Sequence, residues 1–462
     1  MFTISEILNA TGGKLVNGEK EKSVVGVSLD SRTVKPDELF IALSGERYDG
    51  HDFIQEALRK GAGAILFSQP DQDVLKVSAR ELKKVPMIRV KNTIFSLGDL
   101  AHWHRMKFRI PVIGITGSNG KTTTKEMLAA LLSTRYRLLF NPGTQNNHIG
   151  VPLTLLRLRK EHAMCILEMG TNHFGEIDRL ARIAQPTMAV ITNIGPSHLE
   201  FLKTLAGVRK AKLELLPYLP KGAKVIINRD DRILFPLKKA SANAITFGFN
   251  PDAQYRAEVI KQSAKGINFR LNHKQKFFLP LFGRHNIYNA LASITAARCF
   301  GLSYQAMQEA LAVFKPLPMR MQTVSHDGVT LFVDCYNSNP ASMAYALDFL
   351  KDYATQGRRI AIFGDMLELG ARAAEIHAQI GRKIVKSNID ILISVGKLAK
   401  HIVRGAHGAG MPRKTARTCR TAEEAAALLG SLVGPGDIVL VKGSRAMKME
   451  NTLKCFTGFS IH

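Results

Sequence analysis

The sequence has few cysteines, one tryptophan and no long hydrophobic run. Its five cysteines lie far apart among 462 residues, without the CxxC spacing of zinc or redox motifs and without the pattern of a disulfide framework. No apolar stretch approaches the roughly 20 residues that span a bilayer, and the N-terminal segment carries Glu6 where a signal peptide carries basic residues. We therefore expect a cytoplasmic protein that is neither exported nor inserted into a membrane.

Acidic residues are also scarce relative to basic ones. The chain has 38 Asp and Glu against 64 Lys and Arg, a formal net charge of +26, and such a charge attracts nucleic acids and anionic membrane surfaces. The basic residues are nevertheless spread along the whole chain, and a single tryptophan offers no set of stacking platforms for bases. We expect no nucleic-acid partner. A substrate with several phosphates and carboxylates, or solubility alone, would equally account for the charge.

The length exceeds the size at which one hydrophobic core stops growing. Residues 1–107 combine short apolar runs with one amphipathic segment, which predicts a small α/β domain. Residues 108–315 contain apolar runs typical of buried parallel strands, and residues 316–462, after a linker predicted at Pro316 and Pro318, show a similar alternation. The predicted fold class is α/β with three domains: a small N-terminal α/β domain, a central domain with a mostly parallel sheet, and a C-terminal Rossmann-like domain.

A glycine-rich turn directly follows the predicted strand PVIGIT and precedes the predicted helix TKEMLAALLS. Its residues are Gly117, Ser118, Asn119, Gly120, Lys121, Thr122 and Thr123. Glycines let backbone N–H groups face phosphate oxygens, Lys121 would reach the terminal phosphates, and the Thr122 hydroxyl would hold Mg2+. The common G-x-x-x-x-G-K-[ST] spacing fails by one residue, because position 115 is Ile. We interpret the turn as a nucleotide site; the alternative is a glycine-rich turn with an exposed lysine.

The variant spacing T-G-x-N-G-K-T is similar to the phosphate loop of the Mur ligase and folylpolyglutamate synthase superfamily, and the resemblance extends over nearly the whole chain. It implies that the central domain is a P-loop ATPase domain that binds ATP and two Mg2+ ions, with Mn2+ as an alternative. It also implies an ADP-forming ligase, which activates a carboxylate as an acyl phosphate before an amide bond forms.

Two potential metal ligands, Glu168 and His198, follow successive predicted strands of the central domain. Parallel strands would deliver both to one edge of the sheet, beside the phosphate loop, and a carboxylate and an imidazole suit Mg2+ or Mn2+. Either residue alone would more often be structural. In the Mur ligases the matching Glu and His hold the second divalent ion, so the resemblance implies these roles for Glu168 and His198.

The helical segment LAGVRKAKLELLPYL contains two lysines, Lys210 and Lys212. A free ammonium near two metal ions would be repelled, and on residue chemistry alone both would be surface charges. The family carries a carbamate, formed from CO2, on the lysine of an A-K-x-x-L pattern. The resemblance therefore implies a carbamate on Lys212 that faces the metals, with Lys210 as the competing candidate.

The segment 283–290, GRHNIYNA, opens a predicted helix, and its asparagines would ordinarily be read as caps for exposed N–H groups. The family has G-x-H-N-x-x-N here and places its first Asn against adenine. The resemblance therefore implies an adenine contact for Asn286 and a secondary cofactor-binding role for Asn289.

The hinge that follows the linker departs from the family's usual G-R-[ML]-[EQ], with Met319 where Gly is common. The resemblance places Arg320 against the γ-phosphate. It places Asp334, at a predicted strand end, against the ribose or the metal-bound nucleotide. The residues then expected to contact the substrate are Tyr336, Asn337 and Ser338.

In the first domain, L-D-S-R-T at 29–33 and the run LFIALSGERYDGHDFI are similar to the uridine-binding domain of the tripeptide- and pentapeptide-forming ligases. An isolated D-S-R would be a surface turn, but the longer match favours a UDP-sugar site with Ser31 and Arg32 nearest to uracil. A loop after the first helix of the central domain matches the one that meets the sugar and peptide stem. Its candidates are Thr144, Asn146 and Asn147.

Two further motifs distinguish between members of the family. YNSNP at 336–340 and GDMLELG at 364–370 look like members that join D-alanyl-D-alanine to UDP-N-acetylmuramoyl-tripeptide, and the D-N-P-R element of diaminopimelate-adding members is absent. We therefore predict this reaction, in the cytoplasmic stage of peptidoglycan precursor synthesis, by a monomer whose C-terminal domain closes over ATP and binds the dipeptide. The alternatives are the ligase that adds the third stem residue, a folylpolyglutamate synthase, and a nucleotide-sensing module. The predicted catalytic residues are Lys121, Lys212, His198 and Arg320.

Overall fold

The structure, a computed structural model, describes residues 2–45, 48–70, 85–240, 243–263, 265–315 and 317–456. Pro316, one of the two prolines predicted to mark a linker, lies outside these residues, as do Glu46 and Arg47 of the predicted uridine-binding run. The strands of the described residues form sheets of two, five, nine and six strands. Helices pack against these sheets, as the α/β prediction requires.

The first α/β unit is built on the five-stranded sheet. Its elements are β1 Phe2–Thr3, α1 Ile4–Thr11, β2 Lys14–Asn17, β3 Ser23–Val24, β4 Gly26–Ser28, β5 Glu38–Ile41, α2 Ile54–Arg59, β6 Ala64–Phe67, β7 Met87–Arg89 and α3 Thr93–Met106. The strand order is β2-β7-β6-β5-β4, and β2 alone runs antiparallel to its neighbour. The strands β1 and β3 pair separately. Every residue of β6 is buried, which explains its uninterrupted apolar sequence.

The second unit contains the nine-stranded sheet. Its elements are β8 Val112–Thr116, α4 Lys121–Leu132, β9 Leu138–Phe140, α5 Gly150–Leu155, β10 Met164–Glu168, α6 Glu176–Ala184, β11 Met188–Ile191, α7 Leu199–Leu202, α8 Leu205–Leu213, β12 Val225–Asn228, α9 Leu237–Ala240, β13 Ala244–Gly248, β14 Tyr255–Ser263, β15 Gly266–Leu271, β16 Gln275–Leu279, α10 Arg284–Arg298 and α11 Tyr304–Ala312. The strand order is β16-β15-β14-β13-β12-β11-β8-β10-β9. The strands from β9 to β14 are parallel, and β14, β15 and β16 form an antiparallel extension.

The position of β8 in this sheet explains where a ligand can bind. The chain leaves β8 towards β9 and β10 on one side, whereas β11 and β12 lie on its other side. Such a change of direction opens a crevice at the carboxyl ends of the strands, where helices on opposite faces diverge. Two separate apolar cores, which include Ile113 on one face and Val112 on the other, cover the two faces of the sheet.

The third unit contains the six-stranded sheet. Its elements are β17 Gln322–His326, β18 Val329–Asp334, α12 Pro340–Asp352, β19 Arg359–Gly364, α13 Ala373–Lys386, β20 Ile391–Val395, α14 Lys400–Gly408, β21 Ala416–Cys419, α15 Ala422–Leu432 and β22 Ile438–Lys442. The strand order is β17-β18-β22-β19-β20-β21, with β17 antiparallel and the other pairs parallel. The carboxyl ends of β18, β19 and β22 therefore lie side by side.

Within the described part of the chain, none of the helices has the length and apolar character needed to cross a bilayer.

Candidate active site

A cleft of about 700 Å³ lies between the carboxyl edges of the nine-stranded and six-stranded sheets. Most of the residues predicted for ATP, metal and stem-peptide binding line it. They are Ser118, Asn119, Gly120, Lys121, Thr122, Thr123, Thr144, Asn146, Glu168, His198, Asn286, Asn289, Arg320, Asp334, Tyr336, Asn337 and Ser338. The predicted residues that do not line the cleft are Ser31, Arg32, Gly117, Asn147 and Lys212. The cleft thus brings together groups that are up to about half of the chain apart in sequence.

The phosphate loop connects β8 to α4 as the sequence predicts. Gly117 and Gly120 both have positive φ angles, +146° and +80°. A Cβ at Gly120 would lie 2.1 Å from Oδ1 of Asn289, so close packing as well as conformation requires glycine there. The Lys121 ammonium donates to the Gly117 carbonyl over 2.9 Å. This contact keeps the lysine folded over its own loop.

The electrostatic surroundings of Lys121 connect it with the predicted metal site. Burial lowers the pKa of Lys121 from its usual value, while the nearby Glu168 carboxylate opposes the shift and Arg320 adds to it. A partly buried cation next to one carboxylate and one guanidinium lies where added negative charge would be stabilised. Terminal phosphates of a nucleotide carry such charge.

Glu168 is the last residue of β10, as predicted, and is almost completely buried. Its Oε1 accepts a hydrogen bond of 2.7 Å from the amide of Asn146, and its backbone N–H donates to Oδ1 of Asn141. Its other carboxylate oxygen, Oε2, is buried and has no hydrogen-bond partner among the residues that the structure describes. A buried carboxylate oxygen without a partner is costly in a folded protein unless a ligand or ion satisfies it.

His198 follows β11 and directly precedes α7. Its backbone is left-handed, with φ of +52°, which is uncommon for a residue other than glycine. Its Nδ1 lies 2.5 Å from Oε2 of Glu368, a residue of the GDMLELG motif in the third unit. Sequence reasoning had singled out the motif but had assigned no role to Glu368.

Lys212 and Lys210 have different environments, although both lie on α8. The Lys212 side chain is 1% exposed, and burial, together with the charge of Lys121, lowers its pKa well below the usual value. Lys210 is exposed, with its ammonium 5.6 Å from the ring centre of Phe174. A lowered pKa increases the uncharged fraction of an amine, and the uncharged amine is the form that reacts with CO2.

The residues present fit a divalent cation. Thr122 offers a hydroxyl, Glu168 a carboxylate oxygen that no other described residue satisfies, and His198 an imidazole, and such a set of mainly oxygen donors suits Mg2+ or Mn2+. In the described residues no group of three or more His, Cys, Asp or Glu side chains could hold a metal ion by itself. Glu168 and His198 would therefore need Thr122, a modified lysine, phosphate oxygens or water to complete a coordination shell.

Asn286 and Asn289 lie on the first turns of α10, both 5% exposed. The expectation that these asparagines cap exposed N–H groups is wrong. The cap residue is Gly283, without a side-chain hydrogen bond, and the Asn286 amide instead donates to the Phe282 carbonyl over 2.8 Å. Asn289 donates to Oδ1 of Asn286 and lies against the phosphate loop. The pair thus links α10 to the nucleotide site.

The hinge segment places Arg320 over the phosphate loop. Its guanidinium donates to the Thr122 hydroxyl over 2.9 Å and stacks 4.3 Å from the ring centre of Tyr336. Met319 has a φ of +57°, and Met321 has a φ of +52°. Both residues therefore adopt the left-handed conformation that glycine would favour, at a conformational cost of about 1–2 kcal/mol per residue.

Further contacts cross the cleft between the second and third units. The Tyr336 hydroxyl hydrogen bonds to the Thr144 hydroxyl. The Asn339 amide donates to Oδ1 of Asn119 over 2.7 Å. The ring of His285, at the start of α10, stacks on Tyr345 with ring centres 5.6 Å apart. Local sequence patterns carry no signal for such pairs.

Asp334 ends β18, as predicted, but its carboxylate is already paired. The buried ammonium of Lys442 lies 2.6 Å from Oδ2 of Asp334 and also donates to the carbonyl of Asn337. Ser338 is buried, and its hydroxyl has no partner within the described residues. Sequence reasoning missed Lys442, although its position at the end of the strand DIVLVK could have indicated it.

Three residues predicted to contact the nucleotide-sugar substrate, two at uracil and one at the sugar and peptide stem, have other partners in this structure. The Ser31 hydroxyl is buried and donates to Glu56 over 2.6 Å, and Arg32 is exposed and paired with Asp30. Asn147 accepts hydrogen bonds from backbone N–H groups at the start of α5, including that of Gly150. These three residues are therefore not brought into the cleft.

Lys125, on α4, holds the loop that carries Thr144 and Asn146. Its fully buried ammonium donates to the carbonyls of Asn141 and Gly143, both over 2.6 Å, and pairs with Glu126 over 2.9 Å. Nothing in the sequence distinguished this lysine from surface lysines.

Replacing Lys125 with methionine should destabilise this part of the protein. The change keeps most of the side-chain volume but leaves the buried Asn141 carbonyl without a donor, at a cost of about 1–3 kcal/mol, and also removes the hydrogen bond to the more exposed Gly143 carbonyl. We expect the thermal midpoint of the central unit to fall by about 5 °C or more, measured by calorimetry. The exposed Lys160, changed in the same way, is the control; equal midpoints for both variants would contradict the role given to Lys125.

The fold and the cleft define a nucleotide-binding P-loop protein of the α/β class, with the site enclosed between two sheets. Three family models match consecutive parts of the chain: "Mur ligase family, catalytic domain" at residues 23–105, "Mur ligase middle domain" at 115–297 and "Mur ligase, glutamate ligase domain" at 319–445.

Known proteins resemble the chain over nearly its whole length. The UDP-N-acetylmuramoyl-tripeptide--D-alanyl-D-alanine ligase of Bacillus subtilis is 34% identical, over 98% of this chain and 97% of the relative. The crystal structure of MurF from Acinetobacter baumannii has a TM-score of 0.89 with 29% identity, over 98% of both chains. The MurF ligase of Thermotoga maritima, solved in complex with ADP, has a TM-score of 0.81 with 28% identity, over 93% of this chain and 96% of that one. The chain belongs to the Mur ligase family.

Proposed function

We propose that the chain is an ATP-dependent, ADP-forming ligase that joins D-alanyl-D-alanine to UDP-N-acetylmuramoyl-tripeptide during peptidoglycan precursor synthesis. The similarity to ligases of that name over nearly the full length of the chain carries the proposal. The cleft supports it, because a phosphate loop, two candidate metal ligands and an arginine from the third unit converge there. The protein acts in the cytoplasm as a monomer, where ATP and the nucleotide-linked peptide are available.

The reaction requires an activated carboxylate, because oxide is a very poor leaving group. The terminal carboxylate of the tripeptide attacks the γ-phosphorus of ATP, the bond to the β-phosphate oxygen breaks, and an acyl phosphate and ADP result. Lys121 and Arg320 stabilise the negative charge that spreads over the transferred phosphoryl group. In this structure the Arg320 guanidinium donates a hydrogen bond to the Thr122 hydroxyl, so it is already within reach of the loop that would hold the phosphates.

Thr122 would hold one Mg2+ ion, and Glu168, His198 and a carbamate on Lys212 would hold a second. Bound there, the ions supply Lewis-acid stabilisation of phosphate oxygens. The carbamate forms when the uncharged Lys212 amine attacks CO2, a C–N bond forms, and the nitrogen releases a proton. A buried neutral amine is thereby replaced by an anion that can face Lys121 and the metals. The low pKa of Lys212 supports this assignment over Lys210.

The remaining predicted residues would orient the substrates. We place adenine against Asn286 and Asn289, the ribose near Asp334, and uracil near Ser31 and Arg32. Thr144 and Asn146, with Tyr336, Asn337 and Ser338 from the third unit, would contact the sugar and peptide stem. Asn147 would act indirectly, because it holds the start of α5 in place.

The amine of the dipeptide then attacks the acyl carbon, phosphate leaves, and the new amide forms. The contacts of Asn339 and Tyr336 with the central unit enclose the cleft. Enclosure excludes water, which would otherwise hydrolyse the acyl phosphate.

A phosphate-release assay with different acceptors tests this proposal. In the presence of ATP, Mg2+ and UDP-N-acetylmuramoyl-tripeptide, we expect release to be stimulated by D-alanyl-D-alanine and not by single amino acids. When UDP-N-acetylmuramoyl-dipeptide replaces the tripeptide, stimulation by a single amino acid would instead indicate the ligase that adds the third stem residue. Phosphate release that no acceptor stimulates would contradict ligase activity on the stem peptide. Folate substrates serve as a further control.

A further inference from the structure

The GDMLELG loop presents a carboxylate from the third unit to a candidate metal ligand of the second. Glu368 has a left-handed backbone, with φ of +61°, and its carbonyl accepts from the Glu200 N–H over 3.1 Å. This backbone contact accompanies the 2.5 Å contact between its carboxylate and Nδ1 of His198. Two contacts, one from the backbone and one from the side chain, thus join the loop to α7.

The loop is firmly held by its own unit. The N–H of Met366 donates to Nε2 of His377, which is completely buried, and the N–H of Leu367 donates to the Ser444 hydroxyl. Asp365 accepts hydrogen bonds from two backbone N–H groups at the start of the α14 region, including that of Ala399. Glu368 therefore moves with the third unit and not independently of it.

The hydrogen bond also fixes which nitrogen of His198 carries a proton. An ionised carboxylate only accepts hydrogen bonds, so the proton in this contact is on Nδ1 of His198. In the neutral imidazole the opposite nitrogen, Nε2, then has a free lone pair, as metal coordination requires. In proteins, a metal-binding histidine commonly donates its other N–H to a carboxylate or carbonyl, which fixes its ring orientation and increases its basicity.

We propose that Glu368 is a positioning residue for His198, and that the third unit thereby completes the divalent-cation site of the second. The inference rests on the proposed function only in that it takes His198 to be a metal ligand. It assigns to the GDMLELG motif a physical role that neither the motif nor the comparisons specify. Glu368 itself touches neither substrate nor metal in this role.

The arrangement couples cation binding to the position of the third unit. When the unit moves away, His198 loses its carboxylate and its ring is free to rotate or to take the other tautomer. The cation therefore binds more tightly when the third unit is in place. By thermodynamic reciprocity, the cation must also stabilise the placed unit by the same factor.

Direct titration with Mn2+ tests the proposal on the full chain. The free and bound ion are separated by electron paramagnetic resonance, with the protein saturated by ADP. For Glu368→Ala we expect the Mn2+ dissociation constant to increase by at least about 10-fold. Losses of this size are typical when a metal-binding histidine loses the carboxylate or carbonyl that accepts its other N–H. Glu368→Gln, which keeps an acceptor oxygen but not the charge, should show a smaller increase. Glu200→Gln is the matched control, because Glu200 is exposed and lies two residues from His198.

The outcomes are distinct. We expect ADP affinity without metal to stay unchanged in all variants, and saturating Mg2+ to restore acceptor-dependent phosphate release in Glu368→Ala. Unchanged Mn2+ affinity in both Glu368 variants would overturn the positioning role. A lost rate that excess Mg2+ does not restore would also overturn it, since it would indicate damage other than weak cation binding. If Glu368→Ala does not fold, Glu368→Gln carries the same test. Failure of the native chain to bind ADP would instead count against the proposed function.

Discussion

Replacing Lys121 with alanine is expected to lower acceptor-dependent phosphate release by at least about 10³-fold, comparable to the loss of a charge-stabilising group in other phosphoryl-transfer enzymes. The Lys121 ammonium is partly buried, folded over its loop and close to both Glu168 and Arg320. It is therefore a fixed positive charge at the position where the transferred phosphoryl group develops negative charge. Water that filled the vacated space could not replace it, because water would have to reorganise during the reaction.

The measurement is a steady-state rate at saturating ATP, tripeptide and dipeptide, with ADP binding followed in parallel. Lys160→Ala is the control, since Lys160 is an exposed lysine of the same unit. We expect the control to have the rate of the native chain. A Lys121→Ala variant with a rate close to that of the native chain would refute the assignment of the phosphate loop.

Replacing Lys212 with alanine is expected to reduce the rate by at least about 100-fold, and added bicarbonate should not restore it. The expected loss arises because the variant has no amine to carry the carbamate, so a fixed negative charge disappears from the metal site. The burial of Lys212 makes this loss larger than the loss of a surface lysine would be.

A spectroscopic measurement distinguishes a lysine that carries a carbamate from a lysine with a purely structural role. With 13C-labelled bicarbonate, we expect the native chain to show a carbamate carbon signal by NMR that Lys212→Ala lacks. Lys210→Ala is the control, because it removes an exposed lysine from the same helix and should keep both the signal and the rate. A carbamate signal that persists in Lys212→Ala but disappears in Lys210→Ala would move the modification to the neighbouring lysine.

The positions of residues at strand ends could be predicted from the sequence, because the carboxyl ends of parallel strands lie at the same edge of a sheet. Once the apolar runs before Glu168 and Asp334 are recognised as buried parallel strands, the residue after each run must lie at the carboxyl edge of its sheet. The glycine spacing likewise located the phosphate loop between β8 and α4. These predictions needed only the local alternation of strand, turn and helix.

Contacts between units could not be predicted in this way. Asn119 and Asn339, or His198 and Glu368, are far apart in sequence and meet only because two sheets face each other. Residue type alone was also misleading at Asn286, because its amide reaches back to a carbonyl instead of capping N–H groups. Such choices depend on packing around the start of α10, which local patterns do not contain.

The location of the cleft between two units has a consequence for the pace of the catalytic cycle. In this structure Arg320 hydrogen bonds to Thr122 and Asn339 hydrogen bonds to Asn119, so these two contacts join the units across the cleft. A movement that opens the cleft must break them. Because enzymes that enclose their reactants are often limited by reopening, we expect the strength of these hydrogen bonds to influence the turnover number.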